Sequence, residues 1–414
     1  MTSQLTRENL VRRDRRDPLA SCRELFELPD GLLYFDGNSL GPPPRAVHAR
    51  LAEVTARQWG EDLIRSWNVH GWIDLPRRVA AKIAPLLGAQ DDEIAVGDST
   101  SVNLFKLLAA ALPLRPGRRT VLSEDGQFPT DLYMAQGLGE LLDGGLRQRL
   151  VPVGDLAAAL DDDVAVVCTS HVQFKSGRLV DMAALTRAAH QAGALVLWDL
   201  SHSAGAMGVD LGGCGADLAV GCGYKFLNGG PGAPAFLYVA RRHQEAARSP
   251  LQGWMGHADP FAFDLGYRPA SGVGRFLCGT PPVLSLAALD AALDVFDGVD
   301  LEALRRKSLE LGELLIELVL GGCGGFGVEL LSPRDGALRG SQVSFLHPEG
   351  YAVVQALIDR GVVPDFREGG VMRFGLTPLY LRYVDVWDAA EVLRDVLATR
   401  AWDEPRYRQR KKVT

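Results

Sequence analysis

The chain has 414 residues, 47% of them hydrophobic and 23% charged, with a formal net charge of −7 at neutral pH. That composition gives a globular protein ample material for a core, and its acidity argues against general nucleic-acid binding, which runs on basic surface. No stretch reaches the roughly 20 apolar residues that span a bilayer, and the polar N-terminus has no apolar signal core, so a cytoplasmic protein is expected.

The six cysteines contain no Cys-x-x-Cys pair and the eight histidines no His-x-x-x-His pair. Free thiols in a reducing compartment are expected, with neither a disulfide framework nor a metal site. The basic runs Arg12-Arg13, Arg15-Arg16 and Arg406 to Lys412 are terminal and read as solvated tails.

Residues 1–60 read as an N-terminal arm. It holds a short helix near 19–26, a strand near 32–35, the turn Asp36-Gly-Asn-Ser-Leu-Gly41 and a helix after Pro42-Pro-Pro44. Taken alone, Asn38 and Ser39 are ordinary turn formers. From about residue 90 apolar runs alternate with helical patterns. Strands are predicted at 93–97, 120–123, 164–169, 194–198, 217–222 and 235–239, and helices at 100–112, 131–142 and 182–192. This alternation predicts an α/β fold with a mostly parallel sheet covered on both faces, in a large domain spanning 61–297. Helical patterns follow at 284–296 and 301–320. The glycine-rich run 321–327 lies after a helix, the wrong order for a phosphate loop, and reads as a helix stop. Residues 298–414 mix strands (342–346, 372–375) with helices (352–360, 387–399), which suits a smaller α+β C-terminal domain.

Ligands of such sheets bind outside the carboxyl ends of the strands. Five predicted strands end in polar or loop-forming residues: Asp98 to Ser101, Phe128 to Asp131, Ser170-His171, Asp199 to His202 and Gly223-Tyr-Lys225. Lys225 and Asp199 form the informative pair. Pyridoxal phosphate needs a lysine for its aldehyde and a carboxylate that keeps its pyridine nitrogen protonated. Each residue alone has an ordinary reading, as a surface lysine or a turn former. Together, with Tyr224 beside the lysine and Gly229-Gly-Pro-Gly232 after it, they point to that cofactor. The glycines let the backbone pass close to a flat ligand.

Thr100-Ser101 opens a helix directly after a strand and reads as a phosphate anchor or as a simple cap. Phe128 can stack on a pyridine face and Asp131 can accept from a donor, or both can belong to a proline-started helix. His202 reads as a cover for the ring or as a hydrogen-bonded core residue. Arg373, in Val371-Met-Arg-Phe-Gly375, offers either a fork to a carboxylate or an ion pair with an acidic neighbour.

The longer runs carry a resemblance. They include Tyr34-Phe-Asp-Gly-Asn-Ser-Leu-Gly41, Ile64-Arg-Ser-Trp67, Phe128-Pro-Thr-Asp131, Trp198-Asp-Leu-Ser-His202, Gly253-Trp-Met-Gly-His257, Cys278-Gly-Thr-Pro281 and Gly340-Ser-Gln-Val-Ser-Phe345. Nearly the whole chain resembles the kynureninases, pyridoxal-phosphate enzymes of fold type I. Ser201, Phe226 and Met255 depart from common choices in that family.

The resemblance implies hydrolysis of L-kynurenine to anthranilate and L-alanine. It implies a Schiff-base lysine at Lys225, a pyridine partner at Asp199 and an acid–base group at Tyr224. Thr100, Ser101, Phe128, Asp131, Ser170 and His202 would contact the cofactor. Trp254 and Thr280 would reach it from a second subunit, which implies a homodimer. Arg373 would hold the substrate carboxylate, with Trp67, Asn38, Ser39 and Thr280 near the substrate. A preference for L-kynurenine over its 3-hydroxy analogue is expected. The alternatives are a cysteine desulfurase or selenocysteine lyase, which usually place His before the lysine, and a non-catalytic pyridoxal-phosphate-binding regulator, which usually carries a DNA-binding module.

Overall fold

The apolar runs become short strands that are buried along their whole length. The computed structural model describes residues 5–411; Met1–Gln4 of the arm and Lys412 of the terminal basic run lie outside the described residues. The strands are β1 (Leu33–Tyr34), β2 (Ile94–Val96), β3 (Thr120–Glu124), β4 (Arg147–Val151), β5 (Val164–Ser170), β6 (Leu195–Asp199), β7 (Leu218–Cys222), β8 (Ala235–Val239), β9 (Glu329–Leu330), β10 (Gln342–Leu346), β11 (Val362–Val363), β12 (Asp365–Arg367) and β13 (Val371–Gly375).

Seven of them form the central sheet in the order β2-β8-β7-β6-β5-β3-β4. The pairs from β7 through β4 are parallel. β8 runs antiparallel to both β7 and β2, so β2 points the same way as the parallel strands. The carboxyl ends of β2, β3, β5, β6 and β7 therefore share one rim. Along β6 the side chains alternate between two apolar layers, Val196 and Trp198 facing one and Leu195 and Leu197 the other. That alternation is what helices on both faces require.

The fold departs from the sequence reading at several elements, among them the short strands β9, β11 and β12 and the antiparallel direction of β8. β4 was not predicted, because Arg147-Gln-Arg-Leu-Val151 is a half-exposed edge strand with no apolar run, and charge on an edge discourages further pairing. In the glycine-rich run, the helix Leu301–Cys323 continues through the first glycine pair, Gly321-Gly322, to Cys323 before a short 3-10 turn ends at Gly327, whose φ of 79° is left-handed.

The C-terminal part carries a four-stranded antiparallel sheet, β12-β13-β10-β9. Its register sets Arg373 opposite Ser344 on one side and Asp365 on the other. The arm reaches this region through β1, which pairs in parallel with β11. Among the described residues, no helix is long and apolar enough to cross a membrane.

Candidate active site

The end of β6 and the turn after β7 bring Asp199 and Lys225 to the same cavity. Register places Ser170 opposite Asp199 and Asp199 opposite Val220, so these strand ends lie side by side. Asp199 is 6% exposed, and its Oδ1 accepts from the Ser201 N–H at 2.8 Å. Lys225 sits in a tight loop. A Cβ at Gly223 would lie 2.5 Å from the Pro234 carbonyl oxygen, so only glycine fits there. The arm packs onto the same loop: the Gly41 N–H donates to the Tyr224 carbonyl at 2.8 Å, and a Cβ at Gly41 would lie 2.3 Å from the Lys225 carbonyl. This contact gives the arm's turn a structural role at the site.

The Lys225 Nζ lies 3.0 Å from His202 Nε2. Burial, and then the charges of Lys225, Arg373 and Arg367, push the His202 imidazolium pKa well below its ordinary value. The ring is therefore neutral at physiological pH and can accept from the Lys225 Nζ. Lys225 also lies 5.9 Å from the centre of the Phe128 ring and 5.8 Å from that of Tyr224. Burial leads the causes that raise the Tyr224 phenol, which keeps it protonated near neutrality.

Two helix N-termini face the cavity, Thr100–Ala111 and Pro129–Leu141. Such termini leave unpaired N–H groups and favour an anion. The first is held by a special turn. Asp98 adopts a left-handed φ of 53°, and the buried Lys106 donates to its carboxylate at 2.5 Å and to the Phe276 carbonyl at 2.7 Å. Ser99 caps the helix through the Val102 N–H at 3.3 Å. Ser101 and Thr130 join the two helices by a hydroxyl pair at 2.8 Å.

Gln127, which the sequence reading passed over, brackets the third side. Its Nε2 donates to Asp131 Oδ2 at 2.5 Å and to Ser170 Oγ at 2.8 Å, and its Oε1 accepts from the Ser170 N–H at 3.1 Å. The signal was there: Gln127 stands four residues before Asp131. Burial, then the Asp199 carboxylate, raises the Asp131 pKa well above the usual range. Asp131 Oδ1 is buried without a hydrogen-bond partner among the described residues. A cavity of about 190 Å³ with such an orphan acceptor, a lysine and two helix N-termini is built for a polar, anionic ligand.

Of the expected residues, Thr100, Ser101, Phe128, Asp131, Ser170, Asp199, His202, Tyr224 and Lys225 all line this cavity, joined by Ser99, Thr130, Phe174 and Ser201. Arg373 is 1% exposed and stands behind Phe174, whose carbonyl it meets at 2.6 Å. Its fork grips Asp365, with Nε 2.6 Å from Oδ1 and Nη2 on Oδ2. The ion-pair reading thus holds for that edge of the guanidinium. Ser39 joins the same group, and Asn38 is fully buried beside Gly375. Trp67 packs edge-on against Trp72 at 5.8 Å. Trp254 and Thr280 are exposed and do not line the cavity of this chain.

Residues 73–345 match the aminotransferase class-V family and residues 304–393 match the kynureninase C-terminal domain. Solved structures of similar shape include the cysteine desulfurase CsdA of Escherichia coli, 19% identical, with a TM-score of 0.78 over 92% of this chain and 98% of that one. Another is the cystine C–S lyase C-DES, 18% identical, with a TM-score of 0.76 over 88% and 98%. These distant likenesses speak for the fold. The sequence relatives are much closer. A kynureninase of Burkholderia mallei (strain SAVP1) is 53% identical and one of Pseudomonas fluorescens 50%, each over 99% of this chain and 100% of its own length. With identity at that level from end to end, and with the family's C-terminal domain in place behind the cavity, the chain belongs to the kynureninase family.

Proposed function

We propose that this chain hydrolyses L-kynurenine to anthranilate and L-alanine with pyridoxal 5′-phosphate held at Lys225. The observation that carries the reading is the convergence of Lys225, Asp199 and the N-terminus of the Thr100–Ala111 helix on one cavity. The residues fit the cofactor. Lys225 would hold its aldehyde, Asp199 would hold a proton on its pyridine nitrogen, and Thr100 and Ser101 would take its phosphate at the helix N-terminus. Asp131, with its orphan oxygen, and Ser170 would accept or donate at its remaining polar edge. Phe128 and His202 would flank the ring.

When bound, pyridoxal phosphate supplies an electron sink for carbanions next to the substrate amine. The protein supplies proton handling and placement. The Lys225 amine would remove the Cα proton, with neutral His202 at 3.0 Å receiving a hydrogen bond from it. Tyr224, which lines the cavity and is kept protonated by burial, would donate a proton to Cβ as the Cβ–Cγ bond breaks. Atoms balance with one water: its hydroxyl joins the aryl acyl carbon to give anthranilate, and a proton completes the alanine methyl. Arg373, Ser39 and Asn38 would bind at the substrate carboxylate side and Trp67 at the aryl side.

We also read the functional unit as a cytoplasmic homodimer that shares its active sites. The segment after Leu251 exposes Trp254, Phe261, Phe263 and Leu265, a cluster of large apolar side chains that supports a partner contact. Trp254 and Thr280 would reach the partner's cavity from it. The test is incubation of the cofactor-loaded protein with L-kynurenine and, separately, with L-cysteine. Fluorescent anthranilate from the first and no sulfide from the second is expected; sulfide without anthranilate overturns the reading in favour of a desulfurase.

A further inference from the structure

A second guanidinium stands beside Arg373. In β12, Asp365 and Arg367 are two residues apart and share a face, and Asp365 is the register partner of Arg373 on β13. Asp365 is fully buried, and its Oδ2 receives Arg373 Nη2, Arg367 Nη2 at 2.7 Å and the Ser39 hydroxyl at 2.7 Å. Ser39 Oγ accepts in turn from Arg373 Nη2 at 3.1 Å and from Arg367 Nη2 at 3.2 Å. One carboxylate and one hydroxyl thus hold two like charges side by side, an arrangement that leaves a positive surplus looking for an anion.

The two arginines are not equivalent. Arg373 is 1% exposed, with its Nε and Nη2 on Asp365 and its Nη1 on the Phe174 carbonyl. Arg367 is 34% exposed at its side chain. Its Nη1 donates to its neighbour's carbonyl, that of Phe366, at 3.0 Å, and its Nε has no hydrogen-bond partner among the described residues. Its Nη2 reaches Ser39 Oγ at 3.2 Å, on the turn whose Gly41 N–H meets the Tyr224 carbonyl at 2.8 Å, so the guanidinium lies beside the loop that carries Lys225. The guanidinium with donors to spare beside that loop is therefore Arg367.

We propose that Arg367 is a second carboxylate-binding residue of this site, set beside Arg373 by the bracket of Asp365 and Ser39. The identity of the substrate rests on the function proposed above; the carboxylate contact does not, because any α-amino acid presents that group. The chemistry recognised is the α-carboxylate of an amino acid, gripped by Arg367 from the cavity side while Arg373 supports it from behind.

The test uses the cofactor-loaded enzyme and two ligands that differ only at that group, L-alanine and L-alaninamide, titrated calorimetrically into wild type, Arg367→Gln and Arg367→Lys. KM and kcat for L-kynurenine are measured in parallel. For Arg367→Gln the affinity for L-alanine is expected to fall roughly tenfold to a hundredfold, while that for L-alaninamide stays within about twofold. KM should rise by a similar factor with kcat changed far less, and Arg367→Lys should recover part of the loss.

Equal losses for the acid and the amide would make Arg367 a structural residue and overturn the proposal. So would an unchanged affinity for L-alanine, or a wild-type enzyme that binds the acid no better than the amide. A wild type that binds L-alanine as described but leaves kynurenine intact overturns the proposed function and not the carboxylate clamp.

Discussion

Replacing Asp199 by Asn separates the charge of this residue from its place in the fold. The side chain is 6% exposed, and its Oδ1 takes the Ser201 N–H at 2.8 Å. An asparagine oxygen can occupy that position, so the turn after β6 should survive. What disappears is the negative charge that would keep a proton on the pyridine nitrogen. A hydrogen bond to a charged group contributes about 1.5–3 kcal/mol, against about 1 kcal/mol for a neutral one. If that difference of about 0.5–2 kcal/mol is expressed in the transition state, kcat should fall roughly twofold to thirtyfold, at 1.36 kcal/mol per decade. The same substitution removes the charge that, after burial, does most to raise the Asp131 pKa, so Asp131 should titrate closer to the ordinary carboxylate range. The assay is kcat at saturating L-kynurenine from anthranilate fluorescence, with cofactor content read from visible absorbance. A fully loaded variant with kcat equal to that of wild type would refute the reasoning and leave Asp199 as a turn residue.

Three further outcomes follow from the same geometry. Arg373→Lys should raise KM strongly, by a factor corresponding to roughly 2–3 kcal/mol, because a lysine cannot reproduce the fork on Asp365 or reach the Phe174 carbonyl with the same geometry; an unchanged KM would detach this arginine from substrate binding. Burial, then the Asp365 carboxylate, raises Asp36 to about 7, against the pull of Ser39, Arg373 and Arg367, with Tyr34 and Tyr380 also facing it. The folded state thus binds a proton that the unfolded chain releases near 3.8. This contribution to stability is complete at low pH and is lost as pH rises through about 7, and the newly formed carboxylate also cancels positive charge near the substrate site. KM should therefore rise across that pH, and the rise should vanish in Asp36→Asn. L-kynurenine should be preferred over its 3-hydroxy analogue by roughly tenfold to a hundredfold in kcat/KM, since neither Trp67 nor Thr280 offers a dedicated partner for the extra hydroxyl; equal values would show that these residues do not set the choice.

The parts of the fold legible in the sequence were those whose burial shows in local composition. Val164–Ser170, Leu195–Asp199 and Ala235–Val239 are apolar because both faces of the sheet are covered, and the ends of the first two give away the rim. β4 was invisible for the converse reason, since a polar edge strand has no such signature. The strand direction of β8 was equally hidden, because an isolated apolar run carries no mark of its partner's orientation. At the site, the cavity residues stood out through position at strand ends. The bracket formed by Asp365 did not. Its partner Ser39 is 326 positions away in the chain, and a lone Asp-Phe-Arg between loops gives no local pattern. Gln127 was overlooked because it lies in a loop, although it holds Asp131 and Ser170 together.

The central claim is that this rim holds pyridoxal phosphate covalently at Lys225. The most direct measurement is borohydride reduction of the cofactor-loaded protein followed by peptide mapping by mass spectrometry. The account predicts the pyridoxyl label on the peptide that contains Lys225 and its loss in Lys225→Ala, with anthranilate release abolished in the same variant. A label on Lys82, Lys106 or Lys175, or a Lys225→Ala variant that keeps both label and turnover, would contradict it.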